Sequence, residues 1–162
     1  MKTTGFIDDI NRGKIKEKIF KKDFLDFLNI NYVDVSGRQQ YQIIDSDYLT
    51  KIGLCEIKSY KNSDESLSFE DYTNINETLG KKSFGWIYKT KADLIIFIDE
   101  TARTMIILPM TDKFREYYES IKDNYKLKHN FITVHNDRKW QSAYRKLPLK
   151  SLIGYFSVYQ KK

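Results

Sequence analysis

The sequence predicts a single α/β domain built on a mixed central β-sheet flanked by helices. Three observations predict it. Residues 14–29 repeat their apolar side chains at helical spacing. Several short runs after them alternate apolar and polar residues, as half-buried strands do. Residues 92–99, ADLIIFID, form a near-continuous apolar run, which suits a strand buried on both faces. The 162 residues are enough for a core without staples, and 41% hydrophobic content with two prolines argues against a disordered chain. One domain is expected over 1–162, with its core at about 14–124 and a basic extension at 125–162.

Each element has its own signal. Ile15, Ile19, Phe20, Phe24, Phe27 and Leu28 make one helical stripe. INYVDVS reads as a short extended piece before a turn at Ser36 and Gly37. QYQIIDSDYL and GLCEIKSY read as two strands joined by TKIG, and SLSFEDYT as a third, giving an antiparallel meander. NINETLGKKSFGWIYKT is a mixed connection broken by Gly80 and Gly85. ADLIIFID and MIILPM are strands around the turn ETART, the second stopping near Pro109. Thr111 is placed to N-cap a helix with Asp112 in its first turn and a stripe of Phe114, Tyr117, Tyr118 and Ile121. FITVHND and LPLKSLIGYFSVY leave their elements open.

Charge narrows the class of partner. The chain carries a net charge of +6, and residues 122–162 hold ten basic and two acidic side chains. Aromatic and imidazole rings stand between them at Tyr125, His129, Trp140, Tyr144 and Tyr155. That combination suits a polyanion, foremost a nucleic acid. The single Cys55 excludes an internal disulfide and a multi-cysteine zinc site, and its apolar setting makes it a small core residue. His129 and His135 lack zinc-site spacing, and Trp86 and Trp140 are expected in the core. The first residues lack a secretory apolar region and LIIFI is too short to span a bilayer, so a soluble, cytoplasmic protein away from membranes is expected. No Gly-rich phosphate loop, nucleophile elbow or dinucleotide fingerprint occurs.

The hairpin concentrates chemistry. Strand alternation puts Asp45 and Asp47 on one face, and Glu56 and Lys58 on one face of the next strand. A turn centred between Thr50 and Lys51 opposes Asp45 to Glu56, and a centre one residue later opposes Asp47 to Glu56. Two adjacent carboxylates repel unless neutralised, and a hard divalent cation such as Mg²⁺ takes oxygen ligands of this kind. Lys58 would stabilise negative charge or orient water, because an unperturbed ammonium, with a pKa of about 10.4, is a poor base at neutral pH.

An Asp at the end of one strand, Glu-x-Lys on the next, and a preceding helix with an acid, Glu17, resemble the PD-(D/E)XK, or restriction-endonuclease-like, nuclease superfamily. QYQIID resembles the approach to the first acid in small nucleases of this type. SFEDYT places Glu70 where a third strand often carries another acid. SFGWIYKTKADLIIFID resembles a segment of phage and mobile-element members. Neither Asp45 nor Asp47 follows a proline, as the first acid commonly does there.

The resemblance implies a restriction-endonuclease-like fold and Mg²⁺-dependent hydrolysis of phosphodiesters, foremost in DNA, with Mn²⁺ able to substitute. It implies Asp45 and Glu56 as metal ligands, with Asp47 the alternative, and Lys58 and Glu70 as further catalytic residues. Lys89 and Lys91 would touch phosphate. A homodimer would suit two cuts on a duplex. The other readings are an inactive nucleic-acid- or protein-binding member of the same fold, and a structure-specific resolvase or ribonuclease. Glu17 is expected to pair with Lys21 one helical turn on. Asp93 is expected to anchor the start of its strand.

Overall fold

The structure is a computed structural model and describes residues 13–27, 29–42, 44, 46–60, 65–76, 81–99, 104–130, 133–135 and 138–160. The fold is mixed α/β, and the chain divides into two compact units. The first comprises Met1–Asp64, Lys91–Met110 and Gly154–Lys162, and the second Glu65–Thr90 and Thr111–Ile153. The basic stretch 125–162 supplies strands to both.

The first unit holds a six-stranded mixed sheet in the order β1-β2-β3-β6-β7-β11. Its strands are β1 (Tyr32–Asp34), β2 (Tyr48–Thr50), β3 (Gly53–Ser59), β6 (Leu94–Asp99), β7 (Thr104–Pro109) and β11 (Ser157–Gln160). Neighbours are antiparallel except β3 and β6, which run parallel from Cys55 beside Leu94 to Ser59 beside Ile98. Ile95 to Ile98 are all buried, so both faces of β6 are covered, as its unbroken apolar run implied.

Helix α1 covers residues 13–20 and runs on as a π-helical segment, Lys21–Asp26. Phe20, Phe24 and Leu25 from this helix pack with Tyr48, Cys55, Ile96, Ile98 and Met105. The π-turn departs from the 3.6-residue period, so the expected stripe slips: Leu25 is buried, whereas Phe27 is 64% exposed. Cys55 is the core residue expected, and burial pushes its thiol pKa up to about 11.

Two expected elements differ. QYQIIDSDYL is not one strand: Gln39–Gln42 form a short helix, α2, and the strand begins only at Tyr48. The Tyr41 carbonyl accepts N–H groups from Ile44 and Ser46, which turns the chain before it can extend. Nor does SLSFEDYT continue a meander. The place beside β3 goes to β6 instead, because that apolar strand fills a site buried on both faces.

SLSFEDYT becomes part of β4 (Ser66–Asn76) in the second unit, whose sheet runs β5-β4-β10-β8. Its other strands are β5 (Lys81–Phe84), β8 (Lys128–His129) and β10 (Arg138–Pro148), with β9 (Thr133–His135) also paired to β10. The expected mixed connection thus contains β5 and a short helix, α3 (Trp86–Lys89). Helix α4 (Asp112–Ile121) starts as predicted, with the Thr111 hydroxyl accepting from the Phe114 N–H at 3.1 Å. Phe69 packs against Trp86, Phe114 and Tyr118. Gly85 permits the closest approach, since a Cβ there would stand 2.0 Å from the Glu70 carbonyl oxygen.

A buried polar clasp ties this unit together. Asp71, 3% exposed, accepts from the Tyr118 hydroxyl and from Arg145 Nε at 2.6 Å. The Arg145 guanidinium also donates to the Lys122 carbonyl and meets Asp123 at 3.2 Å. Arg145→Met is expected to destabilise the protein by about 3–5 kcal/mol, because it strands the buried Asp71 charge. Asp71→Asn combined with Arg145→Met should lose much less, and chemical denaturation of the two variants measures the difference.

Candidate active site in the first unit

Gly53 begins the arrangement. Its φ of +119° closes the turn after β2, and Asp93 Oδ2 lies 2.5 Å from where a Cβ would be. Asp93 accepts from the Leu54 N–H at 2.7 Å, and its own N–H donates to the Leu54 carbonyl. This is the anchoring role the sequence predicted, and it ties the start of β3 to that of β6.

The β2–β3 register pairs Tyr48 with Cys55, Leu49 with Leu54 and Thr50 with Gly53. The turn centre is therefore the later of the two considered. The ladder ends at Tyr48; Asp47 lies just before the strand, and its carboxyl shares a side-chain hydrogen bond with Glu56. The Asp47 N–H donates to the Cys55 carbonyl at 2.8 Å, and the Ile57 N–H donates to Asp47 Oδ2 at 2.8 Å. Glu56 is 7% exposed and pairs with the Lys58 ammonium. Asp45 lies outside the described residues.

These side chains border a cleft of about 530 Å³, lined among others by Lys14, Glu17, Gln42, Ser46, Asp47 and Glu56. Glu17, the helix acid that the resemblance used and that was expected to pair with Lys21, lies at the cleft, while Lys21 sits over the Tyr32 ring. Burial, then the charges of Asp34 and Glu56, push the Glu17 pKa up. Ser46 is 3% exposed and its hydroxyl is buried without a hydrogen-bond partner among the described residues. No sequence pattern marks a serine of this kind.

Burial raises the Asp47 pKa to about 6, against the opposing effect of the Ile57 N–H, and Glu17 adds to the rise while Lys58 opposes it. The acidic and hydroxyl oxygens at the cleft come from Asp47, Glu56, Glu17 and Ser46, with the Lys14 side chain also on the lining. That set fits a small hard cation, which keeps several waters and needs one or two carboxylates. Among the described residues, no three His, Cys, Asp or Glu side chains already form a metal-ligating group.

The remaining predicted residues are placed as follows. Lys91 is exposed in the first unit, and its N–H donates to the Ile44 carbonyl at 3.0 Å. Glu70 and Lys89 belong to the second unit. Glu70 stands opposite Tyr144 on β4 and accepts from the Thr73 hydroxyl at 3.2 Å. Lys89 is exposed at the end of α3. His129 is exposed on β8. No helix among the described residues is long and apolar enough to cross a membrane. No family model, curated protein or solved structure matches the chain.

Two predictions follow from this geometry. Gly53→Ala should destabilise by roughly 1–3 kcal/mol, read as a lower Tm, because alanine is strained at positive φ and crowds Asp93. Asp47→Asn should stabilise. The folded pKa lies above the ordinary 3.8, so ionising Asp47 weakens the native state as pH rises from about 4 to about 6. The variant's gain should be on the order of 2 kcal/mol above pH 7 and vanish near pH 4, which paired denaturation curves at the two pH values would measure.

Proposed function

We propose that the first unit carries a divalent-metal-dependent phosphodiesterase site of the restriction-endonuclease-like kind, acting on DNA. One observation carries this reading: the Asp47 and Glu56 carboxyls share a hydrogen bond at the lining of one cleft, with Lys58 paired to Glu56. Asp47 is taken here as the first acid because of that contact.

Mg²⁺ or Mn²⁺ would be held by Asp47 and Glu56, and when bound would polarise the phosphate and acidify a bound water. The reaction adds one water across one P–O bond and leaves a phosphate monoester and a hydroxyl. Asp47 must be ionised to serve as a ligand. Lys58 neutralises charge that develops on the phosphate oxygens. The Ser46 hydroxyl, without a partner among the described residues, would hydrogen-bond a phosphate oxygen or a water. Basic residues hold the backbone, so binding weakens steeply with salt. Glu70, which the resemblance implied as a further acid, belongs to the second unit and has no part in this reading.

The contact of Lys58 with Glu56 favours a second reading. It neutralises Glu56 without a cation, as a catalytically silent binding protein on this fold would need.

Labelled duplex, single-stranded and four-way DNA, and RNA, should be tested with Mg²⁺, Mn²⁺ and EDTA. Metal-dependent cutting is expected, and Lys58→Ala should slow it by about a hundredfold or more while keeping most binding. At limiting Mg²⁺ the rate should rise with pH as Asp47 ionises, and saturating Mg²⁺ should move that rise to lower pH, because cation and proton compete for the carboxylate. Cutting that survives EDTA, or a Lys58→Ala variant as fast as wild type, would rule the site out. Metal-independent binding without cutting would favour the second reading.

A further inference from the structure

The second unit carries a surface that its own core does not use. Phe84, the last residue of β5, is 62% exposed. β5 is an edge strand, so this ring stands at the border of the sheet. Register sets Phe84 beside Tyr72 on β4, and the two rings lie nearly parallel, 18° apart in plane with centroids 6.5 Å apart. The Tyr88 ring centroid stands 5.4 Å from that of Phe84, tilted by 56°. Three aromatic rings thus form a short ribbon from β4 through β5 to α3.

A lysine sits at each end of the ribbon. Lys82 Nζ lies 5.2 Å from the Tyr72 centroid. Lys122 Nζ lies 5.4 Å from the Tyr88 centroid and donates to its hydroxyl at 3.0 Å. Lys122 is also paired with Glu119 at 2.7 Å, so Lys82 supplies the less neutralised charge. Lys82 and Ser83 are exposed beside Phe84. Lys128 is exposed on β8, at the opposite edge of the same sheet.

We propose that this ribbon binds unpaired nucleotides of single-stranded nucleic acid, with a base stacked on Phe84 and backbone phosphate held by Lys82. The chemistry selects the partner. An exposed phenyl face flanked by ammonium groups suits a flat base joined to a phosphate. The bases of a duplex are already stacked on one another and offer no free face. An acidic protein would satisfy the lysines and leave the rings without a matching surface. The inference does not rest on the cleft of the first unit, and a chain that never cuts could still bind here.

The test is fluorescence anisotropy in EDTA, with a labelled single-stranded DNA, an RNA of the same sequence and the matching DNA duplex. Phe84→Ala should weaken single-strand binding by roughly tenfold and leave duplex binding within about twofold. Phe84→Leu, which keeps apolar bulk and removes the ring, should behave like Phe84→Ala. Lys82→Ala should lower the slope of log affinity against log salt by about one. The tighter of the DNA and RNA arms identifies the source of the strand. Circular dichroism checks that the variants are folded. Single-strand binding unchanged in a folded Phe84→Ala overturns the proposal. So does an equal loss for strand and duplex. A Phe84-dependent dimer in sedimentation, with no strand preference, would also overturn it and assign the surface to a second copy of the chain.

Discussion

Asp93 reaches across to the first residues of β3 and accepts the Leu54 N–H, and only a glycine at position 53 leaves room for it. That contact joins a tight hairpin to a parallel strand pair distant in sequence. The hairpin sets which Asp faces Glu56, and the parallel pairing sets β3 inside the sheet rather than at its edge. A shift of one residue in the turn would replace Asp47 with its neighbour two positions earlier. The acid pair, the lysine beside it and the cleft they border all depend on this one junction.

Burial gives the pair its character. Glu56 is paired with Lys58, and Asp47 meets the Ile57 N–H and the Glu56 side chain in a buried setting that raises its pKa. Ser46 adds a buried hydroxyl with no partner among the described residues. A site designed only for stability would pair these groups internally. Strained protonation and an unmet hydrogen bond are instead what a site leaves available for a ligand, which is why the proposed function is placed here. The second unit contrasts with it. There the Asp71, Tyr118 and Arg145 clasp is closed on itself, and burial together with the Asp71 carboxylate keeps the Tyr118 hydroxyl protonated. The feature left over in that unit is the aromatic ribbon.

Local signals carried much of the fold. The ADLIIFID strand, the stop at Pro109, the Thr111 cap and the Asp93 anchor were legible because each rests on a short-range rule: burial on two faces, a missing donor, an N-cap, a strand start. The π-turn was not, because periodicity assumes 3.6 residues per turn and one wide turn shifts every later position. β10 was also missed. Its run RKWQSAYRKLP is charged and irregular, and its pairing with β4 includes shifts of register.

The sequence by itself determined the mixed α/β composition, the Glu56 and Lys58 pair on one face of a strand, and the basic C-terminal third. Alternation and charge are properties of neighbouring residues, so they can be read without a fold. Tertiary structure alone decided that the Asp47 carboxyl meets Glu56, that Glu17 and Ser46 join the cleft, and that SLSFEDYT leaves the hairpin for a second sheet. Each of these depends on which strands meet. That choice is made by the burial of β6 beside β3, a contact between segments about forty residues apart that no local pattern encodes.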